Sequence, residues 1–158
     1  MGKYIDAKGL KTSNAHLSMA ASVFSEHKTV ETMKALMEAI ERSIKEDTIW
    51  LIPYSDVDCG CGSFWDKKNG PESGKWYYKL LINSKGTHVM PIFTDNDEVM
   101  SGPETDVIAL RAKSILLEFC ISPYAEDLTI NPWSSNAIIT KELIQFALSN
   151  CGIDWQNY

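Results

Sequence analysis

The amino-acid sequence predicts an α+β fold, in which a small, mainly antiparallel sheet is covered by three or four helices. Two observations favour this class. Apolar residues recur at helical spacing in separate parts of the chain, and short β-branched or aromatic segments bounded by turn residues lie between them. The 158 residues fit one domain, residues 1–158, and a composition of 44% hydrophobic and 23% charged residues excludes a disordered chain.

The clearest predicted helix begins after Thr29 and ends near Asp47. Its apolar residues recur at intervals of three and four, so they share one face of the helix: Val30, Met33, Leu36, Met37, Ile40 and Ile44. Charged residues occupy the opposite face, which we expect to meet solvent. A shorter helix is expected upstream in residues 17–24, with Ser13 or Asn14 as its N-cap.

Similar apolar stripes predict two further helices. One lies near residues 107–119 and ends before Pro123, because a proline ring and its missing N–H stop a helix. The other lies near residues 141–150, where Thr140 is expected to cap the first turn and Gly152 to end the last.

Four segments have strand composition, and we expect them to form the sheet: residues 49–54, 76–83, 87–93 and 128–130. Gly86 can supply the positive φ of a hairpin between the second and third segments. Pro53 offers no N–H to a ladder, so it is expected at a strand end or at an edge. Residues 137–139 predict a further short strand, and Thr94 is expected to cap a helical turn in residues 94–101.

Residues 55–75 contain four glycines and are predicted to form a long loop, which includes Cys59 and Cys61. A single C-x-C motif without a second ligand cluster does not fit structural zinc. The acidic neighbours of these cysteines would raise the thiol pKa, so ordinary thiols and no metal or cofactor are expected. A small metal- or thiol-dependent enzyme that uses Cys59 and Cys61 remains the alternative hypothesis.

Turn residues provide the candidate binding site. Trp65 lies in the long loop, while Asn131, Pro132 and Trp133 begin a predicted turn in residues 131–135. An exposed Trp is a frequent anchor for a protein partner, although a Trp in a domain of this size is more often partly buried. Asn131 has a simpler explanation too, since Asn before Pro initiates turns. We predict contact here with a protein partner or with a second copy.

Charge and motifs exclude several classes of function. Fifteen basic and twenty-one acidic residues give a net charge of -6, which disfavours binding to nucleic acid. No apolar run is long enough to cross a membrane and no secretory leader is present, so a cytoplasmic location is expected. The sequence has no Gly-x-Ser-x-Gly, Walker A or HExxH motif, and we therefore expect no catalytic residues.

Several segments together resemble the SseB N-terminal domain family. They are residues 90–99, Met-Pro-Ile-Phe-Thr-Asp-Asn-Asp-Glu-Val, and residues 128–132, Leu-Thr-Ile-Asn-Pro, which lead into residues 138–144. The strand at residues 51–54 also fits, and the resemblance covers roughly residues 30–150. It implies a bacterial protein with an α+β fold and no established catalytic set. Longer members carry a C-terminal domain that is not expected in this chain, and the Cys59 loop is not part of their pattern. The resemblance favours a non-catalytic interaction or regulatory module of uncharacterised biochemical role.

Overall fold

The computed structural model describes residues 7–55, 63–64 and 76–157. The described helices are α1 (Ala7–Ser13), α2 (Ala15–Glu26), α3 (Val30–Glu46), α4 (Asn96–Met100), α5 (Ala112–Ile121) and α6 (Lys141–Asn150), with a final 3-10 turn at Trp155–Asn157. The described strands are β1 (Ile49–Ser55), β2 (Ser63–Phe64), β3 (Trp76–Tyr78), β4 (Leu81–Ile82), β5 (His88–Ile92), β6 (Val107–Arg111), β7 (Asp127–Ile130) and β8 (Ala137–Thr140). The predicted α+β class is confirmed. None of these helices has the length and apolar character that a membrane span requires.

The described strands form two four-stranded sheets, with the orders β2-β3-β1-β6 and β4-β5-β7-β8. Neighbouring strands are antiparallel, except that β5 and β7 run parallel. A bridge between Leu51 and Phe93 joins the two sheets through N–H···O bonds of 3.0 and 2.8 Å. The mainly antiparallel character is thus confirmed, but the expected single sheet is divided in two because β1 and β5 meet at this one bridge.

The main core lies between the sheets and the long helices. Its largest fully buried members come from both kinds of element: Leu17, Leu36, Ile40, Trp50, Met90, Phe119 and Leu128. A smaller cluster of Leu10, Leu51 and Phe93 lies apart from it, packed against Val99 and against the β6 side chains Val107 and Ala109. These buried surfaces supply most of the driving force that holds the helices on the sheets.

Helix α3 follows its prediction closely. It spans Val30–Glu46, and the side chain of Thr29 accepts a hydrogen bond from the N–H of Thr32 at 3.1 Å. The hydroxyl of Thr32 accepts one in return from the N–H of Thr29, which completes a reciprocal cap. At the C-terminal end of the chain, Thr140 caps α6 through the N–H of Leu143 at 3.4 Å, as predicted.

The prediction of a helix from residue 107 is wrong for its first five residues. Val107–Arg111 form strand β6, which pairs with β1 so that Ile108 lies opposite Ile52 and Leu110 opposite Trp50. The helix begins at Ala112 and ends at Ile121, before Pro123 as expected. A continuous apolar run fits a buried strand as well as a helix, and β1 supplies the hydrogen-bonding partner that decides between them.

The predicted strand at residues 76–83 is also divided. Trp76–Tyr78 pair with β1 in the first sheet, whereas Leu81–Ile82 pair with β5 in the second. The hairpin from β4 to β5 is confirmed, with Gly86 at a φ of 82°. The chain therefore crosses from one sheet to the other within this segment.

Pro53 lies inside an interior strand, so its predicted place at an end or edge is wrong. It pairs with Val107, and β1 continues for two further residues. The N–H of Tyr54 bonds to the carbonyl of Asp106 at 3.1 Å, whereas Leu51 bonds to Phe93 on the other side of β1. Since alternate residues of a strand face opposite neighbours, Pro53 faces away from β6 and its missing N–H removes no β1–β6 hydrogen bond.

Candidate functional site

The predicted turn after β7 is present. The N–H groups of Ser134 and Asn136 bond to the carbonyl of Asn131 at 3.1 and 2.9 Å. Asn131 and Asn136 have positive φ values of 53° and 47°, a conformation that Asn tolerates better than most residues. The other predicted contact residue, Trp65, lies outside the described residues, so its role remains a prediction.

The side chain of Asn131 is buried beneath this turn and bonds to Thr94. Its Oδ1 accepts a hydrogen bond from the Thr94 N–H at 3.0 Å, and its Nδ2 donates to the Thr94 hydroxyl at 3.0 Å. The Thr94 hydroxyl has one proton to give, either to Oδ2 of Asp95 at 3.2 Å or to Oδ1 of Asn131 at 3.3 Å. The amide of Asn131 thus anchors the turn to the end of β5 rather than presenting itself to solvent.

Thr94 is not the helix cap that the sequence predicts. Asp95 caps α4, with its Oδ1 accepting a hydrogen bond from the N–H of Glu98 at 3.0 Å. Thr94 is fully buried, and its carbonyl accepts a hydrogen bond from Nδ2 of Asn14 at 3.0 Å. The position of the cap moves by one residue because the Thr94 side chain is already bonded to Asn131.

Asn14 likewise has a different role from the one predicted. It stands at the N-cap position of α2, but its side chain makes no capping hydrogen bond. Instead its Nδ2 donates to the carbonyls of Ile49 and Thr94 at 2.8 and 3.0 Å, which ties the start of α2 to β1 and to the buried Thr94. Its Oδ1 is buried without a hydrogen-bond partner in the described part of the chain.

Trp133 rests on Gly102 with part of its surface open. A Cβ atom on Gly102 would overlap Cγ, Cδ1 and Nε1 of the indole, so only glycine leaves room for the ring in this position. The next residue, Ser134, bonds through its hydroxyl to the carboxylate of Glu98 on α4. The Trp133 ring therefore lies against Gly102 while its neighbour Ser134 is tied to α4, and Trp133 still exposes 39% of its surface.

We call Met100, Pro132 and Trp133 together the Trp133 surface. Met100 is 81% exposed at the end of α4, two residues before Gly102, and Pro132 is half-buried. Asp97, also on α4, forms an ion pair with Lys11 at 2.7 Å, and this contact raises the pKa of Lys11. The Trp133 surface combines a fixed aromatic ring with an exposed thioether side chain, two groups suited to contact with a protein.

Cys120 and Cys151 are the free cysteines in the described part of the chain. Burial raises the pKa of the Cys120 thiol to about 11 and also raises the pKa of Cys151, which disfavours the reactive thiolate. Across residues 7–55, 63–64 and 76–157, no group of three or more His, Cys, Asp or Glu could hold a metal ion. Cys59 and Cys61 lie outside these ranges, so the thiol or metal hypothesis remains a prediction.

Comparison with protein-family models, curated proteins and solved structures found no match. The resemblance to the SseB N-terminal domain family therefore remains a prediction.

Sequence reasoning found the turn but missed the residues that support it. Thr94, Asn14 and Gly102 are separated from residues 131–133 along the chain and come together only in the fold. One signal was available: Asp95 precedes Glu98 by three residues, the spacing of an N-cap and a helix N3 position. No local pattern indicates that Gly102 lies under the Trp133 ring.

Proposed function

We propose that this chain is a cytoplasmic, non-catalytic protein-interaction or regulatory module that contacts a protein partner through the Trp133 surface. Its resemblance to the SseB N-terminal domain family supports the same class. The observation that carries the proposal is the fixed but open placement of Trp133 on Gly102, above the buried bonds between Asn131 and Thr94.

The physical argument is that an ordered aromatic side chain loses little conformational freedom when a partner binds. The ring already rests against Gly102, and the Ser134–Glu98 hydrogen bond holds the adjacent residue, so little further ordering is needed. Tryptophan is also among the residues whose removal most weakens protein interfaces, typically by about 2 kcal/mol or more. The buried hydrogen bonds of Asn131 act on binding indirectly, by fixing the backbone that carries Trp133.

The test is affinity purification from the source cell with the full chain as bait, in three forms. We expect one defined partner to be retained by the unaltered chain, lost with Trp133→Ala and kept with Phe146→Ala. Phe146 is the matched control, because it is an aromatic residue 60% exposed on α6. Thermal unfolding of each form verifies the fold. Retention of the partner by Trp133→Ala would place the contact elsewhere.

A further inference from the structure

In the described part of the chain, strand β6 is the outer strand of its sheet and part of its main chain is unpaired. The N–H of Tyr54 bonds to the carbonyl of Asp106, and the N–H of Ala112 to the carbonyl of Thr48, so alternate residues of β6 face β1. The main-chain groups of Val107 and Ala109 therefore face away from β1. Among the described residues, none forms a hydrogen bond to these outward groups. An open edge of this kind is a template for another strand.

The side chains along this edge permit a close approach. Val107 and Ala109 are half-buried and pack against the small cluster around Leu51 and Phe93. Ala109, at the middle of the five-residue strand, has no bulk that would keep a second strand away. The edge therefore presents main-chain donors and acceptors without an obstructing side chain at its centre.

Charges of opposite sign lie at the two ends of β6. Glu104 and Asp106 are exposed just before its first residue, Arg111 is exposed at its last, and Lys113 is exposed in the first turn of α5. Arg111 also pairs with Asp47 of the same chain at 3.2 Å, whereas Lys113 has no ion-pair partner within the described residues. Antiparallel pairing with an identical strand would bring the acidic end of each copy to the basic end of the other.

Helix α5 provides a second reason for acidic residues to lie at this end. It begins at Ala112, has no acidic residue in its first turn, and receives no side-chain cap from Arg111. The start of a helix carries partial positive charge and is stabilised by nearby carboxylates. In an antiparallel pair of β6 strands, Asp106 of the second copy would lie beside the start of this helix.

We infer that β6 is the surface through which two copies of this chain associate. The copies pair antiparallel about a twofold axis at Ala109, so that Val107 of one copy lies opposite Arg111 of the other. The two four-stranded sheets that contain β6 then join into one continuous sheet. This surface shares no residue with the Trp133 surface, and the inference does not depend on the proposed function.

Sedimentation velocity over a wide range of protein concentration tests the pairing. We expect the full chain to form a dimer of twice its 17.7 kDa mass. Ala109→Pro removes an outward N–H that the β1 ladder does not use, so the variant is expected to fold while dimerisation weakens by roughly tenfold or more. Circular dichroism and thermal unfolding verify that it folds.

A charge exchange keeps the inference testable even if Ala109→Pro does not fold. Asp106→Lys is expected to weaken the dimer by roughly tenfold or more, because it places a second cation opposite Ala112 of the other copy, between Arg111 and Lys113 in sequence and beside the positive start of α5. Adding Lys113→Glu to the same chain exchanges both signs and should restore the dimer. Glu38→Lys on the exposed face of α3 makes the same change in net charge and should leave the dimer intact.

Two results would overturn the inference. One is a wild-type chain that remains monomeric at every concentration up to the millimolar range. The other is a dimer that survives both Ala109→Pro and Asp106→Lys with unchanged affinity, which would place self-association on another surface. Dimerisation that persists in Trp133→Ala supports the inference, because it shows that the two surfaces are independent.

Discussion

Asn131 combines two demands that few side chains meet together. Its φ of 53° disfavours residues with an ordinary Cβ, and its buried amide both accepts from and donates to Thr94. Glycine satisfies the first demand and not the second, whereas alanine satisfies neither. A short series of substitutions therefore separates the backbone contribution from that of the hydrogen bonds.

We expect Asn131→Ala to lower the free energy of unfolding by about 2–4 kcal/mol, the sum of lost buried hydrogen bonds and left-handed strain. Asn131→Gly should lose about 1–3 kcal/mol, because only the hydrogen bonds are removed. Urea denaturation measures both values. Asn136→Gly, at an exposed residue with a similar φ, is the comparison: it removes one hydrogen bond, from the hydroxyl of Thr129 at 2.7 Å, and should cost about 1 kcal/mol. Equal midpoints for wild type and Asn131→Ala would contradict this account.

Gly102 and Trp133 should behave as an energetically coupled pair. Gly102→Ala forces the indole from its place and is expected to destabilise the fold by about 1–3 kcal/mol. In a Trp133→Ala background the same change should have almost no effect, since the ring it would overlap is absent. Urea denaturation of the four proteins of this double-mutant cycle gives the coupling. A penalty for Gly102→Ala that is the same in both backgrounds would rule out the proposed contact.

Cys120 predicts how stability depends on alkaline pH. Burial raises its pKa from 9.0 to about 11 in the folded chain, while nearby Lys141 partly offsets the shift. Below pH 9 both states keep the proton, so the thiol has no effect. Between pH 9 and 11 the unfolded chain releases that proton while the folded chain retains it, and stability therefore falls as pH rises.

The measurement is the difference in unfolding free energy between wild type and Cys120→Ala from pH 8 to 11. Subtracting the two free energies at each pH removes the contribution of the lysines and tyrosines that titrate in the same range. We expect the wild type to lose stability more steeply than the variant above pH 9. Parallel curves would show that the folded environment leaves this thiol unperturbed.

At the scale of secondary structure, the sequence predicts well those elements whose local signals agree. Helix α3 has a regular apolar stripe and a Thr at its N-cap, and both its ends are close to prediction. The hairpin after β4 is similarly local, because Gly86 supplies the positive φ that the turn requires. In both cases the decisive interactions lie within a few residues of one another.

Elements defined by distant pairing were less predictable. The hydrophobic period of residues 107–111 does not distinguish a strand from the start of α5, and no Gly or Pro marks the boundary at Arg111. The position of Pro53 depends on which neighbour each alternate residue of β1 faces, and that is set by the register with β6. These features follow from contacts between segments more than 50 residues apart, as Leu51 opposite Ala109 shows.

At the scale of the whole molecule, the candidate site also depends on contacts between distant segments. The turn containing Asn131 and Trp133 was predicted from Pro and Asn in sequence. The residues that support this turn were not predicted, because Thr94 and Gly102 belong to another part of the chain. A turn can be recognised locally, but whether its Trp is held open or buried depends on what the fold places beneath it.

The two amides of the bridge between Leu51 and Phe93 show whether the two sheets unfold together. Each of these two amides is hydrogen-bonded to the other sheet. Either one can therefore exchange with deuterium only after the two sheets separate at the bridge. If the protein opens as one unit, the Leu51 and Phe93 amides should exchange as slowly as the Trp50 amide in the β1–β6 ladder. Faster exchange at these two positions alone would reveal a state in which the two sheets separate while each sheet stays folded.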